Sequence, residues 1–572
     1  MENVEIAWIL QEMADLAELV QDKPYKALAY RKAAREVAKQ PRPLRDLPRG
    51  ELRKLNGVGE HIEQVLAEII KQGHSSYHGE LKQQVPAGLL SVLAIPGLGP
   101  KVVRQLHQQL GIENIETLEL AAKARKVRGL PGMSPKTEMG ILRGIELMRN
   151  GARYVPIGVA TQVAKQLLEA LQDLSQVEDM AIVGSLRRGK EIVGDVDLLV
   201  ATYEPEGVAG IFIRHPLIQE VLEKSEQLVI VRTLGGIRVE LFMTGPREFV
   251  LFKFLLTGSQ SHIEQVQALS QELSMDMKSG GHGQGQGQLM HVQDEAEVYQ
   301  RLGLEWIIPE LREGAGEVEA AGAGSLPASL SLGDIKGDLH LHSNWSDGVA
   351  SIEDIIQAAL ERGYEYVAIT DHSKSLSVAG GLTDQRLAQQ HAQIRRLNAQ
   401  LPQLQVLTGV EVDILNDGVL DYHDEILAEA DIVVASIHSG FKQSGEQLTE
   451  RALMAIKNPY VDILAHPTGR MLGRRDPYAI DMDKVFEAAA KYDTILEINA
   501  SPDRLDLKAE HVHQAKDYGI KIAINTDAHD LARLNDMEYG VITGRRGWLM
   551  AEDVVNTWEY SRLANWLEKR QV

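Results

Sequence analysis

Apolar residues near the start of the chain recur at helical spacing. Ile6, Leu10, Met13, Ala17 and Val20 keep a 3.6-residue period, which predicts an amphipathic helix that Pro24-Tyr25 ends. A second helix is expected from Lys26 to Gln40, with Lys26, Arg31, Lys32, Arg35 and Lys39 on its polar face. Further on the period becomes two. Ile237 to Phe242 alternates so that Arg238, Glu240 and Phe242 share one face of a strand. From Asp334 the pattern changes again, to short β-branched runs separated by helical stretches. These runs are Tyr366–Thr370, Val406–Val410, Ile432–Ser436, Val461–Ala465, Thr494–Asn499 and Lys521–Asn525. Strand-helix alternation sustained from there to the end of the chain predicts a βα barrel.

A chain of 572 residues is too long for one core, so several domains are expected. It has no cysteine, which excludes disulfides and thiolate metal sites. Any metal must then be held by imidazole and carboxylate, and a reducing cytoplasm is the expected compartment. Met1 to Leu19 carries five acids, which does not fit a signal peptide, and no apolar run is long enough to span a membrane. The net charge of −21 argues against a nucleic-acid binder until its distribution is read. Residues 1–150 hold 22 Lys+Arg and 18 Asp+Glu, a balance of +4 that leaves −25 on the rest. A mildly basic N-terminal part suits local, salt-dependent contact with DNA phosphates.

Three glycine hairpins in that part sharpen the picture. Leu55-Asn56-Gly57-Val58-Gly59-Glu60-His61-Ile62 is repeated by Ile95-Pro96-Gly97-Leu98-Gly99-Pro100-Lys101, and more weakly by Leu130-Pro131-Gly132-Met133-Ser134-Pro135-Lys136. One such turn is a common αα connection. Three in succession point to backbone contact with DNA, because glycine lets a phosphate approach and the next helix aims its N–H groups at it.

The chemistry concentrates in two places. Gly184-Ser185-Leu186-Arg187-Arg188-Gly189 is followed by Gly194-Asp195-Val196-Asp197, which reads as strand, glycine turn and a second strand bearing two acids. Asp195 and Asp197 are two apart, so both carboxylates face one way and can hold Mg²⁺ against phosphates. The turn offers backbone N–H groups to a polyphosphate, and Arg188 adds a charged donor. A solvated hairpin with an acidic edge is the plainer reading. In the C-terminal part, His340, His342, Asp347, His372, Glu411, His438, His466, Asp527 and His529 fall just past successive strand ends, where βα barrels keep their chemistry.

The Gly-Ser…Gly-Asp-x-Asp stretch resembles the nucleotidyltransferase motif of the family X DNA polymerases, the group of DNA polymerase beta. The resemblance implies that Asp195 and Asp197 bind two catalytic Mg²⁺ or Mn²⁺ ions, and that Gly184, Ser185, Arg188 and Gly194 contact the nucleoside triphosphate. It implies a third metal-binding acid at Glu240, where the family has Asp. Phe254-Leu255-Leu256-Thr257-Gly258-Ser259 resembles the segment beside the incoming sugar, with Thr257 and Gly258 at the nucleotide and Leu255-Leu256 in place of an aromatic pair. The hairpins resemble the family's helix-hairpin-helix motifs, with Gly57, Gly59, Gly97 and Gly99 at DNA. A lysine that some members use as a lyase nucleophile is here Val65, and a neighbouring lysine is His61, so no strong lyase activity is expected.

The nine C-terminal residues resemble the ligand set of the polymerase and histidinol phosphatase (PHP) domain. That implies a three-metal site of Zn²⁺, Mn²⁺ or Fe²⁺, with Asp371 orienting a ligand. Arg470, Arg474 and Arg475 follow His466 and are candidates to hold DNA phosphates, with a solvated basic loop as the alternative reading. The resemblance to a bacterial family X polymerase with a C-terminal PHP domain then covers nearly the whole chain. The expected fold is an all-α helix-hairpin-helix region, an α+β nucleotidyltransferase palm with a thumb, and an α/β PHP barrel. The expected boundaries are 1–80 for the N-terminal domain, 81–150 for fingers, 151–245 for palm, 246–313 for thumb, 314–333 for a Gly/Ala/Ser-rich linker and 334–572 for the PHP domain. Ser279 to Gln288 is a glycine-glutamine low-complexity loop. The implied enzyme fills short gaps in DNA repair and trims 3′ ends, with abasic-site cleavage in some members. Its expected partners are gapped or primer-template DNA and deoxynucleoside triphosphates, with no membrane and a monomeric state. Glu240 and Leu255-Leu256 keep open a DNA-binding PHP nuclease with a weakened polymerase site. A small-molecule phosphatase with a DNA-binding or protein-binding adaptor is the other rival.

Overall fold

A computed structural model describes residues 3–570 apart from 21–23, 39, 41–43, 48, 56, 87, 94, 96–97, 132, 134–137, 139–140, 143–144, 146–154, 173, 216, 273–291, 402 and 474. The chain forms two compact units. One holds Met1–Arg153 and Glu204–Glu240, and the other holds Tyr154–Tyr203 and Leu241–Val572. The expected palm, 151–245, is thus divided between them.

The first unit is mostly helical. The first two helices are Asn3–Leu19 and Pro24–Ala38, and the second begins at Pro24, where the sequence ends the first. Ile6, Leu10, Met13 and Ala17 are all buried in a core shared with Val58, Ile62, Val65, Val103 and Leu106. Two helices start directly after a hairpin glycine. Glu60–Gln72 follows Gly59, and Pro100–Leu110 follows Gly99 with proline at its first position, where a missing N–H costs nothing. Left-handed Gly73 and Gly111 end them. The same unit contains an antiparallel hairpin, Ile218–Lys224 with Leu228–Thr233.

In the second unit, strands Val177–Val183 and Val196–Thr202 pair antiparallel beside helix Ile157–Glu169. Helices Phe249–Thr257, Gln260–Glu272 and Glu295–Arg301 follow. The stretch expected to be a plain linker carries structure of its own. Glu317–Ala323 is a helix packed with the thumb core, and Leu330 is buried in the core of the barrel. The composition suggested a spacer, but Glu317 is fully buried and its carboxylate meets His262 at 2.6 Å.

The barrel has seven parallel strands whose spatial order follows chain order: Gly337–Leu341, Tyr366–Ile369, Gln405–Asp413, Ile432–Ser436, Ile463–Leu464, Ile495–Asn499 and Ile522–Asn525. The last returns to the first. Leu341 bridges Ala528, and the Leu339 N–H donates to Asn525 Oδ1 at 3.1 Å. Along one strand, Val433 and Ala435 face the outer helices, whereas Ile432 and Val434 face the interior. That interior is filled at one end by Trp558, Leu563 and Leu567. The ligand-bearing residues stand at the opposite, C-terminal ends of the strands.

Candidate functional site

Glu411 lies at the centre of the barrel mouth. It belongs to strand Gln405–Asp413 and is buried. Its carboxylate lies 3.5 Å from His340 Nε2, 3.6 Å from His342 Nε2, 2.6 Å from His372 Nδ1, 3.3 Å from His438 Nε2 and 3.1 Å from His466 Nε2. Asp527 Oδ1 is 3.1 Å from His342 Nε2 and 3.7 Å from His340 Nε2. Asp347 reaches His372 at 3.5 Å and His529 at 3.3 Å, on the partly exposed side. All nine sequence-selected residues therefore meet at one mouth.

Ligand atoms of eight of these residues fall into three groups, each within 4.8 Å: His342, Asp347, His372 and His529; His340, His342 and Asp527; and His372, Glu411 and His438, with His466 in none of them. His340 Nε2, both His342 nitrogens, His372 Nδ1 and Glu411 Oε2 are buried with no aligned hydrogen-bond partner. The 2.6 Å approach of His372 Nδ1 to Glu411 Oε2 is thus a convergence without a hydrogen bond. Orphaned donors crowded at this density fit divalent cations between them, and imidazole with carboxylate suits Zn²⁺, Mn²⁺ or Fe²⁺.

Charge in the cluster is strongly shared. Burial opposes ionisation, yet Glu497, Glu411 and Asp527 hold His340 well above the usual imidazole range. Against the same burial, His438, His372 and His340 hold Glu411 well below the usual carboxylate range. His342 goes the other way, pushed down to about 3 by burial and by His372. It is the neutral imidazole a metal requires. His466 and Asp527 have φ of 28° and 51°, a left-handed backbone that costs non-glycine residues about 1–3 kcal/mol each.

The orienting residues were not all legible. Glu497 accepts from His340 Nδ1 at 2.7 Å and from the His466 N–H at 2.8 Å. Asp413 holds His438 Nδ1 at 2.6 Å, and Asn499 Nδ2 donates to Asp527 at 2.9 Å. The available signal was Val-Glu-Val-Asp, since Asp413 is two residues past Glu411 on the same face. Among the described residues, Asp371 bonds Ser343, Ser346 and Gln390 and no ligand ring. It takes the N–H and hydroxyl of Ser343 and so shapes the turn after His342. Arg470 is also corrected as a phosphate contact. It is buried and grips Glu191 through Nη1 at 2.8 Å and Nη2 at 2.5 Å. Arg475 donates to the Gly469 carbonyl, and Arg474 lies outside the described residues.

The other turn is equally constrained. Gly184 has φ 66°, and a Cβ there would overlap the Asp197 carboxylate, so only glycine fits. Val196 is buried between half-buried Asp195 and Asp197, which places both acids on one side. Ser185 is half-buried and Gly194 exposed. Thr257 and Gly258 are brought to this turn: Arg187 Nη1 donates to Thr257 Oγ1 at 2.6 Å, and Arg188 Nη1 to the Thr257 carbonyl at 2.8 Å. Arg188 Nε also meets Glu313 at 3.1 Å, and Arg546 spans the Arg188 carbonyl at 2.7 Å and Glu313 at 2.9 Å. Glu240 belongs to the first unit and Asp195 and Asp197 to the second. Within its own unit, Glu240 is paired with Arg238 at 2.8 Å (Nε) and 2.6 Å (Nη2).

Gly57 has φ 87° and lies against Lys32, while Gly59 and Gly99 cap helix N-termini. Gly97 and most of the third hairpin lie outside the described residues, as does the 279–288 loop. Val65 is a core residue. Among the described residues no helix is long and apolar enough to cross a membrane.

This combination defines a class: a polymerase-beta-like nucleotidyltransferase joined to a PHP barrel. Residues 1–75 match a helix-hairpin-helix domain, 89–146 a SAM-like helix-hairpin-helix tandem, 164–256 the nucleotidyltransferase domain, 254–313 the DNA polymerase beta thumb and 338–501 the PHP domain. The chain belongs to the family X DNA polymerases that carry a PHP domain. It is 39% identical over 559 residues to the DNA polymerase/3′-5′ exonuclease PolX of Bacillus subtilis (strain 168), covering 97% of each chain. It is also 29% identical over 245 residues to a probable phosphatase of Thermoanaerobacter sp. (strain X514), 41% of this chain and 95% of that one. A probable phosphatase of Caldanaerobacter subterraneus subsp. tengcongensis is 28% identical over 213 residues, 35% of this chain and 79% of that one.

Proposed function

We propose that this chain is a DNA-directed DNA polymerase that fills short gaps and, through its PHP barrel, trims 3′ ends. The observation that carries the nuclease half is the convergence of five imidazoles on the Glu411 carboxylate, with donor atoms left unsatisfied. His340, His342, Asp347, His372, Glu411, His438, His466, Asp527 and His529 are the proposed holders of up to three Zn²⁺, Mn²⁺ or Fe²⁺ ions. Such ions supply Lewis acidity toward a phosphodiester. The chain's own part is to fix the ligand orientations through Glu497 and Asp413 and to keep His342 neutral. Asp347 and His529, the most exposed pair, mark the side open to substrate.

In the palm, Asp195, Asp197 and Glu240 are the proposed holders of Mg²⁺ or Mn²⁺. Gly184, Ser185, Arg188, Gly194, Thr257 and Gly258 are proposed to seat the triphosphate. Gly57, Gly59, Gly97 and Gly99 are proposed to meet the DNA backbone without reading sequence. The proposed substrate is gapped or primer-template DNA, the proposed state a monomer and the proposed compartment the cytoplasm. The division of labour follows the boundaries 1–80, 81–150, 151–245, 246–313 and 334–572.

A second reading, a PHP nuclease with a weak polymerase, is favoured by one observation. Glu240 is held by Arg238, which competes with a cation for its oxygens. Primer extension on a gapped duplex with Mg²⁺ or Mn²⁺, against Asp195→Ala, separates the two. Extension that the substitution abolishes supports the polymerase. No extension by the unsubstituted protein, with 3′ trimming intact and lost in His342→Ala, supports the second reading.

A further inference from the structure

An aromatic ring stands beside the barrel mouth with no role in holding metal. Phe441 lies three residues past His438 and is 39% exposed, in a turn set by left-handed Gly440. Its ring stacks on Tyr478 with centroids 5.3 Å apart and planes 18° from parallel. The Arg475 guanidinium lies 4.6 Å from the Phe441 centroid and 5.9 Å from that of Tyr478. Phe441 keeps part of its ring open to solvent despite these two partners, and exposed Lys442 follows it in the chain.

The support beneath the ring is tied to two ligand loops. Tyr478 Oη donates to the carbonyl of Ile437, next to His438. Arg475 Nε donates to the Gly469 carbonyl at 2.6 Å, and the Gly469 N–H in turn bonds His466 at 2.9 Å. A side chain at Gly469 would overlap Tyr478, so the loop after His466 is fitted closely to the support. Three residues of chain span at most about 10 Å. The Phe441 backbone therefore lies within that distance of the ligand His438, a separation that a strand bound at the cluster can bridge.

We propose that Phe441 is the stacking platform for a nucleobase at the 3′ end of a single DNA strand, with Lys442 beside its phosphate. This rests on the 3′-trimming reading and says how that mouth selects a polynucleotide over a small phosphate ester. Open aromatic faces bind bases of any sequence, and truncating one costs on the order of 10- to 100-fold. Every base has a π-face, so trimming is indifferent to sequence at this point.

The test is trimming of a 5′-labelled single strand by the full chain, comparing Phe441→Ala and Phe441→Trp with the unsubstituted protein. Each is assayed on a normal oligonucleotide and on ones with a base-less residue at the last or the penultimate position. Phe441→Ala is expected to lower kcat/KM on the normal strand about 10- to 100-fold. Removing the base at one of the two positions should cost the unsubstituted protein a similar factor and cost Phe441→Ala nothing further. Phe441→Trp should restore trimming, and bound metal per chain should stay unchanged in both variants. Unimpaired trimming by Phe441→Ala overturns the proposal alone, as does a loss that multiplies with base removal or accompanies lost metal. Failure of the unsubstituted protein to trim DNA overturns the nuclease reading and the platform with it.

Discussion

Glu295 holds two arginines, and its replacement by glutamine is the most informative single change outside the metal centre. Glu295 Oε1 receives Arg187 Nη1 at 2.9 Å and Arg312 Nη1 at 2.6 Å, and Oε2 pairs with Arg187 Nη2. Arg312 is fully buried and packs over Trp306, Tyr299 and Phe254. Arg187 in turn holds Thr257 Oγ1. Glu295→Gln keeps the shape but leaves two cations without their counter-charge, one of them away from water. Breaking a buried pair in this way costs about 3–5 kcal/mol. Since about 1.4 kcal/mol is a factor of ten, the lower figure corresponds to roughly a hundredfold in a local opening equilibrium. The chain has more than one cooperative part, so a single melting curve would not isolate the effect. Hydrogen exchange read on peptides covering Phe249–Thr257 and Glu295–Arg301 does isolate it. Protection there should fall at least about a hundredfold, while strands of the barrel stay as they were. Protection within threefold of the unsubstituted protein would refute the claim that Glu295 ties the thumb to the nucleotide turn.

Three further outcomes are expected. Burial opposes the charges of Glu295, Glu313 and Glu317, but Arg187 with Arg312, Arg188 with Arg546, and His262 respectively hold their carboxyls below the usual range. A lowered folded pKa gives stability that is complete above the unfolded carboxyl range near pH 4.5 and is lost as pH falls below it. Thumb protection should therefore drop on acidification, and less so in Glu295→Gln. Arg546→Ala removes the donor shared by the Arg188 carbonyl and Glu313, and should raise the apparent KM for nucleotide about 5- to 10-fold with little change in 3′ trimming. An unchanged KM would show that Arg188 is positioned without it. Glu497→Gln should weaken metal retention about 10- to 100-fold after dialysis, because His340 and the His466 backbone lose their common acceptor charge. Equal metal content would count against Glu497 as an orienting group.

The sequence was most readable where a residue type has one physical use. Gly184 needs a positive φ and no Cβ against Asp197, and His340 and His342 alternate at a strand end, so both motifs announce their geometry. Groups whose meaning depends on distant partners stayed hidden. Glu191 meets Arg470, and Arg188 meets Glu313 and Arg546, across separations no local pattern encodes. The 314–333 stretch misled through composition, since Glu317 is anchored by His262 and Leu330 by the barrel. The Val461–Ala465 run is also shorter than its apolar pattern suggests, because only Ile463 and Leu464 keep strand pairing before His466 turns left-handed.

The central claim is that nine side chains, with Glu411 at their centre, hold a cluster of divalent ions. Anomalous X-ray scattering from crystals grown with Mn²⁺ or Zn²⁺, recorded on both sides of the metal edge, tests it directly. Three peaks are expected, one in each of the three ligand groups, which are linked through His342 and His372. A mouth with no peak, or with one peak that avoids Glu411, would contradict it.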